Sequence, residues 1–178
     1  MAGIEVIDAL RAALSDFQAQ RNAAILEGLQ VYESLALRYA VTEGMITGGG
    51  KDAPVNATKI TVRTGRLRRA LSMAGPAATG GDTFTAGLAI DTDAAPYGPI
   101  QEFGGQTSPH EIIPKNAKAL HWSVGGADVF AKKVNHPGSN IPARPYMSPS
   151  LAATLQAGLD AIEGRISDLA ARTLGSVA

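Results

Sequence analysis

The residues of this chain best suited to metal chemistry are its three histidines. His110 is followed by Glu111, and His121 and His136 lie further along the chain. Imidazole nitrogens and carboxylate oxygens are ordinary zinc ligands, but zinc sites use recognisable spacings, such as two histidines four residues apart on a helix. No such spacing is present, and the sequence has no cysteine that could add a thiolate. The sequence therefore predicts no metal site.

The sequence also lacks the patterns typical of an acid–base catalytic site, a phosphate-binding loop or a catalytic serine. Asp91 and Asp93 could join Glu102 as catalytic carboxylates, but aspartates that border a turn commonly bond to their own backbone. The glycine-rich run at 48–51 lacks the spacing of a phosphate-binding loop, and Asp52 stands where that loop has serine or threonine. No serine lies in the glycine setting of a nucleophile elbow. We expect no catalytic residue, no cofactor and no enzymatic activity.

Arginines give the clearest electrostatic signal. Arg63, Arg66, Arg68 and Arg69 lie close together, and Arg66 and Arg69 share one face of a predicted short helix. Such a cluster could contact a phosphate backbone or an acidic protein surface. The alternative is a solvated helix face balanced by acids elsewhere, which the formal net charge of +0 favours.

Composition frames these candidates. The chain has 178 residues, of which 45% are hydrophobic, 18% charged and 5% aromatic. A chain of this length can bury a core of aliphatic side chains and is typical of a single domain. It can form no disulfide, and no apolar run approaches the roughly 20 residues of a membrane span. We expect one soluble domain over residues 1–178 with no membrane contact.

The N-terminal segment, residues 1–45, is predicted to be helical. Apolar residues recur at helical spacing from Ile4 to Phe17 and, after a polar stretch, from Ile25 to Tyr39. One long helix or two helices with a bend would both fit. A helix this long cannot bury its whole apolar stripe on one small domain, so part of it is expected to pack on a neighbouring subunit. Residues 46–57, with three consecutive glycines, are predicted to be a flexible loop.

Residues 58–146 are predicted to form a β-rich body with short helices and an arm. Strand-like alternation covers Ile60–Val62 and Thr83–Ile90, with a turn between Ala74 and Asp82. A short helix from Gly65 to Ser72 lies between the two strands, with Thr64 as its N-cap.

Three β-rich pieces between residues 111 and 134 predict a strand-rich arm. They would form either a meander or a long hairpin, with a turn at Gly125–Gly126. The C-terminal helix is predicted over 147–174, with Ser148 as N-cap and Pro149 at its first position. Its apolar stripe consists of Leu151, Leu155, Leu159, Ile162, Ile166 and Leu169. The order of elements predicts an α+β fold, with long N-terminal and C-terminal helices packed on an antiparallel β-sheet that carries the arm.

Two short motifs predict local architecture. Tyr97, Ile100 and Phe103 follow helical spacing, so one helical turn could anchor all three side chains in the core. Gly104 would then allow a positive φ at the exit. In the segment IPARPY, the prolines would hold Arg144 on a rigid strut before Tyr146 enters the core.

The order of these motifs resembles one known family. The motifs are TGRLRRALS at 64–72, YGPIQEFGG at 97–105, IPARPYMSPSL at 141–151, and the terminal helix. The sequence resembles the virion-morphogenesis and tail-completion proteins of tailed bacteriophages, which include tail terminators and neck or head–tail joining minor proteins. The match spans roughly residues 60–172. Its matching residues are Thr64, Gly65, Leu67, Tyr97, Glu102, Phe103, Gly104, Pro142, Arg144, Pro145 and Tyr146.

The resemblance implies a non-enzymatic structural protein of the virion, assembled in the host cytoplasm. Such proteins typically form a ring, often hexameric, at the head-proximal end of the tail. Expected partners are further copies of the chain, the tail-tube protein and the head connector or stopper protein, with passive contact to DNA in the lumen. A DNA-contacting head-closure or minor capsid protein is the alternative. The expected interface residues are Arg66, Arg69, Glu102, Lys115, His121, Trp122, Lys132, Lys133 and Arg144.

Overall fold

The computed structural model describes residues 2–46 and 56–175. Helix α1 spans Ala2–Thr42 without interruption, so the alternative of one long helix is confirmed. At 1.5 Å per residue it is about 60 Å long. Residues 47–55 of the predicted flexible loop lie outside the described residues.

A short parallel strand pair follows α1. Strand β1, Met45–Ile46, pairs with β2, Ile60–Thr61, and the Val62 amide donates to the Ile46 carbonyl oxygen at 2.8 Å. The sequence pattern predicted β2 but not β1.

Helix α2, Arg66–Ala70, is shorter than predicted because Leu71 already belongs to the next strand. Gly65, and not Thr64, occupies the N-cap position, in the left-handed conformation with a φ of 69°. The predicted cap at Thr64 is therefore wrong by one residue. Leu67 is buried, as the predicted pattern requires.

An interrupted hairpin comes next. Its strands are β3 (Leu71–Met73), β4 (Ala77–Gly80), β5 (Thr83–Thr85) and β6 (Leu88–Ile90). Strand β4 pairs with β5 and β3 with β6, both antiparallel. The predicted turn at 74–82 is therefore partly strand, and the predicted single strand at 83–90 is two strands.

Glu33 of α1 closes the break in this hairpin. Its fully buried side chain accepts the Gly87 amide on Oε1 at 2.7 Å and the Gly75 amide on Oε2 at 3.1 Å. Both amides lie where the strand pairing stops, so the carboxylate replaces the missing strand partner. The hairpin is thereby attached to the C-terminal half of α1.

Helix α3, Gly98–Phe103, is the predicted helical turn. The chain leaves it through Gly104 with a φ of 71°, as predicted. A Cβ atom at Gly104 would lie 2.9 Å from the Ala143 nitrogen, so glycine is required by space as well as by conformation.

The arm, residues 105–141, is one long hairpin. Its strands are β7 (Gly105–Gln106), β8 (His110–Ile112), β9 (Leu120–Val124), β10 (Ala127–Ala131), β11 (Val134–His136) and β12 (Asn140–Ile141). They pair antiparallel as β7 with β12, β8 with β11, and β9 with β10. The turn at Gly125–Gly126 is confirmed, and of the two predicted alternatives the hairpin is the correct one.

Helix α4, Ser148–Gly175, runs antiparallel to α1 and makes the most extensive packing contact in the fold. The contact runs through small residues such as buried Gly28, where a Cβ atom would lie 2.7 Å from Cα of Ile162, so the two backbones approach closely. The predicted apolar stripe of α4 is consequently only partly buried. Leu169 is buried, whereas Leu155, Leu159 and Ile166 are exposed.

The core lies where the C-terminal part of α1 meets α2, the first hairpin and the start of α4. Its buried members are Ala40, Met45, Leu67, Ala70, Leu71, Ala95 and Tyr146. Helices and small, mostly antiparallel sheets combine in an α+β fold, as predicted, although the strands form two-stranded pieces and not one sheet. In residues 2–46 and 56–175, no helix is both long and apolar enough to span a membrane.

The close approach of α1 and α4 can be tested at Gly158. A Cβ atom there would lie 2.6 Å from Cδ2 of Tyr32, whereas one at Gly164 would meet nothing within 4 Å. We expect Gly158→Ala to lower the free energy of unfolding by about 1–3 kcal/mol through overpacking. The control Gly164→Ala should raise it by up to about 1 kcal/mol through helix propensity. Urea unfolding followed by circular dichroism measures both, and equal stabilities for the two variants would contradict the packing.

Candidate functional site

The YGPIQEF and PARPYMS motifs meet at the carboxylate of Glu102. Its Oε2 accepts the backbone amides of Tyr146 at 2.7 Å and Met147 at 2.9 Å. Its Oε1 accepts the Ser148 amide at 2.9 Å and the Ser148 hydroxyl at 2.5 Å. One side chain therefore binds three consecutive amides at the beginning of α4, which have no partner within the helix.

Electrostatics favour the ionised form of Glu102. Burial alone would raise the pKa of Glu102, but hydrogen bonds from Met147, Ser148 and Tyr146 together outweigh it and hold the pKa below its usual range. A negative charge at the N-terminal end of a long helix is also favoured by the helix dipole.

Tyr146 packs beneath this carboxylate and is fully buried, as the sequence predicted. Its hydroxyl donates to the Gly98 carbonyl oxygen at 3.2 Å. Burial, followed by the nearby Glu102 charge and Tyr97, raises the pKa of Tyr146 to about 12. The ring thus connects the first turn of α3 to the start of α4.

Three sequence predictions fail at this junction. Glu102 is 4% exposed and serves the interior, so it is not an interface residue. Tyr97 is 39% exposed and Phe103 is 76% exposed, so neither is an anchor in the core. The physical reason is that the Glu102 hydrogen bonds turn α3 so that Gly98 and Glu102, four residues apart, face inward. Ser148 is also not an N-cap, since its hydroxyl donates to Glu102.

The proline strut, defined as residues 142–145, runs beside α3. The Arg144 amide donates to the Gln101 carbonyl oxygen at 2.7 Å, and its Nη1 donates to Gln101 Oε1 at 3.1 Å. Pro142 and Pro145 are exposed on either side. Among the described residues, nothing accepts a hydrogen bond from the buried Nε of Arg144.

A cavity of about 350 Å³ opens beside this strut, between β2 and α2. Its cationic lining residues are Lys59, Arg63, Arg66, Arg68 and Arg144. No carboxylate lines it within the described parts of the chain. Arg66 Nε bonds to the Ala94 carbonyl oxygen, which fixes that side chain at the rim. Arg66 and Arg69, predicted to share one helix face, differ in position. Arg66 lines the cavity, whereas Arg69 does not line it and donates to the Thr64 carbonyl oxygen at 3.3 Å.

The other predicted interface residues lie on the arm. Those exposed there are Lys115, His121, Trp122, Lys132 and Lys133. His121 contacts Asp128 at 3.1 Å and stacks on Phe130 with ring centroids 4.6 Å apart. Across the arm, Lys133 Nζ donates to Glu111 at 2.8 Å.

The remaining two histidines stack on each other. His110 and His136 are directly paired across β8 and β11, with ring centroids 5.0 Å apart. Nowhere in residues 2–46 and 56–175 do three or more side chains of metal-ligating type come together. The three histidines therefore contact side chains of the neighbouring strands of the arm.

Large apolar side chains are exposed at both extremes of the fold. On the arm, Val124 is 61% exposed and Phe130 67%. On α1, a stripe of four residues is exposed: Ile7, Leu10, Leu14 and Phe17. These four follow the same helical spacing that places Ala24 and Gly28 against α4 further along α1.

Sequence reasoning missed two features of this region. Among the described residues, Glu33 and Glu102 are the buried carboxylates, and an acid within the apolar stripe of α1 was the available signal for the first. Lys59 was also missed, although residues 56–73 contain five cations and no acid. An uninterrupted single sign of charge over such a stretch would have indicated that Lys59 belongs to the same cationic surface as the arginines.

Comparison with known proteins adds no relative: no family model matches the chain, and no curated protein or solved structure matches it either.

The Glu102 junction can be tested by substitution and pH. Glu102→Gln places an amide group against amide donors, so we expect it to lower the free energy of unfolding by about 2 kcal/mol or more at neutral pH. The control Glu27→Gln removes an exposed ion pair with Arg165 and should cost less than about 1 kcal/mol. Chemical unfolding of the purified variants measures both.

The pH dependence follows from the lowered pKa of Glu102. Stabilisation by the carboxylate is complete above the ordinary glutamate value of about 4.3 and is lost as pH falls through the lower folded-state pKa. The stability difference between wild type and Glu102→Gln should therefore be constant near neutral pH and narrow below about pH 4. A difference that persists unchanged into strong acid would contradict ionisation of Glu102.

Proposed function

We propose that this chain is a structural protein of the neck or tail end of a tailed bacteriophage. It forms a ring that terminates or completes the tail and joins the tail to the head. The proposal is supported by the four ordered sequence motifs and by the exposed surfaces of the fold. In this role the protein binds further copies of itself, the tail tube and the head connector, and turns over no substrate.

The observation that carries the proposal is the arm. It is a two-stranded hairpin whose side chains are mostly exposed. Trp122 and Val124 are exposed on one face of the β9–β10 pair, and Phe130 is exposed on the other. A two-stranded hairpin without a covering layer is only marginally stable in water. Contiguous exposed apolar residues commonly mark protein interaction sites. A neighbouring subunit that covers the arm would supply the missing layer.

Helix α1 provides a second surface of the same kind. The last turns of α4 lie beside Asp16 and Gln20, so the preceding residues of α1 extend past the end of α4. The stripe formed by Ile7, Leu10, Leu14 and Phe17 continues the seam between α1 and α4 into this extension. A helix of another subunit could take the place that α4 occupies further along.

The Glu102 junction supports this assembly role without taking part in the interface. It joins α3, the strut and α4 at the point where the arm leaves and returns to the body. Because the junction is buried and multiply bonded, it holds the base of the arm in one orientation. A ring of identical subunits requires such a repeatable presentation of the arm.

The assembly surface on α1 can be tested by charge insertion. Leu14 is 59% exposed on the stripe, and Ala12 is exposed on the opposite face of α1. We expect Leu14→Glu to weaken self-association by at least about tenfold, since it buries a charge in an apolar contact. The matched control Ala12→Glu should leave self-association unchanged. Light scattering across a concentration series, with negative-stain microscopy of the particles, measures the effect.

The assay also includes purified tail tubes and head connectors. A wild-type protein that forms rings, or that binds the end of tail tubes, supports the proposal. A strict monomer that ignores both tail tubes and connectors overturns it.

A further inference from the structure

The cavity beside the strut has the size of a ligand site. Its volume of about 350 Å³ lies within the range of roughly 300–1,000 Å³ that small-ligand pockets occupy. Its described lining comes from Met45, from residues 56–68, from Tyr97 with Gln101, and from Arg144, so four separate segments of the chain form its walls. None of these walls belongs to the arm or to the exposed stripe of α1.

The charge of the cavity specifies an anionic ligand. Lys59 and Arg68 lie on its lining with three further cations, and no described lining residue is acidic. Guanidinium groups bind carboxylates and phosphates in bidentate geometry.

The apolar part of the lining indicates that the anionic ligand also carries apolar groups. Ile60 and Val62 are half-buried in the cavity, and the ring of Tyr97 is 39% exposed beside them. A free phosphate would leave this aliphatic surface uncovered. Single-stranded nucleic acid binds through rows of aromatic rings on which successive bases stack, and Tyr97 is the single ring among the described lining residues. Aliphatic side chains alternating with carboxylates fit both parts of the lining.

We infer that this cavity binds an extended acidic peptide segment in which apolar and carboxylate side chains alternate. The carboxylates pair with Lys59, Arg68 and their cationic neighbours, and the apolar side chains cover Ile60 and Val62. The site is complete within one subunit, so it does not depend on the ring proposed above. Its test uses protein of any oligomeric state, which separates a failure here from a failure of the assembly role.

The experiment is fluorescence anisotropy with a fluorescein-labelled peptide of alternating leucine and glutamate. We expect saturable binding that weakens with added salt, because the contacts are partly exposed ion pairs. Arg68→Glu and Lys59→Glu, on different parts of the lining, should each weaken binding at least about tenfold through charge repulsion. Lys132→Glu makes the same change of charge on the arm, at an exposed residue that does not line the cavity, and should alter binding by less than about twofold.

Two further probes decide the chemistry of the ligand. A serine–glutamate peptide should bind at least about tenfold more weakly, since it lacks the apolar side chains. Oligo-thymidylate should not displace the labelled peptide. The inference is overturned if the leucine–glutamate peptide fails to bind, if Lys132→Glu weakens binding as much as Arg68→Glu, or if the serine–glutamate peptide binds equally well. It is also overturned if oligo-thymidylate displaces the peptide, which would assign the cavity to nucleic acid.

Discussion

The fold depends on one carboxylate placed at the beginning of a helix. Glu102 binds three consecutive amides and a hydroxyl at the start of α4, and through them it joins α3 to the strut. Burial of a charge is costly unless hydrogen bonds replace its hydration. Here both oxygens are fully used, so the junction is specific as well as stable: no other position of α4 presents free amides in this way.

Glu33 applies the same principle to the first hairpin. That hairpin is broken in the middle, and its two unpaired amides are bonded by the carboxylate of an adjacent helix. The small aliphatic core, which contains Tyr146 as its largest member, leaves few apolar contacts to determine the arrangement of these short strands. Buried carboxylates that bind backbone amides supply the specificity that such a core lacks.

How far the sequence predicts the structure depends on the range of the interactions. Local patterns were sufficient for α1, α4, the turn at Gly125–Gly126 and the positive φ at Gly104. The buried face of α3 was not predictable from spacing. Apolar periodicity indicated that Tyr97 and Phe103 face the core, but the orientation of the helix is determined by the bonds of Glu102 to backbone amides at the start of α4, which is distant in sequence. The cavity was not predictable in full, since four of its lining cations lie within residues 59–68 but Arg144 comes from a segment far along the chain.

The packing that buries Glu102 and the small residues of α1 and α4 also leaves large apolar side chains exposed. Since α1 packs on α4 through small residues, the large side chains of both helices lie at the edges of that contact or beyond its end. Since Glu102 and not Phe103 faces the interior, an aromatic ring lies exposed at the base of an arm that already presents Phe130. Large apolar side chains that could have been buried in the core are thus exposed on the surface. In a chain whose core is this small, burial of that area by other subunits would add stability that the isolated subunit lacks.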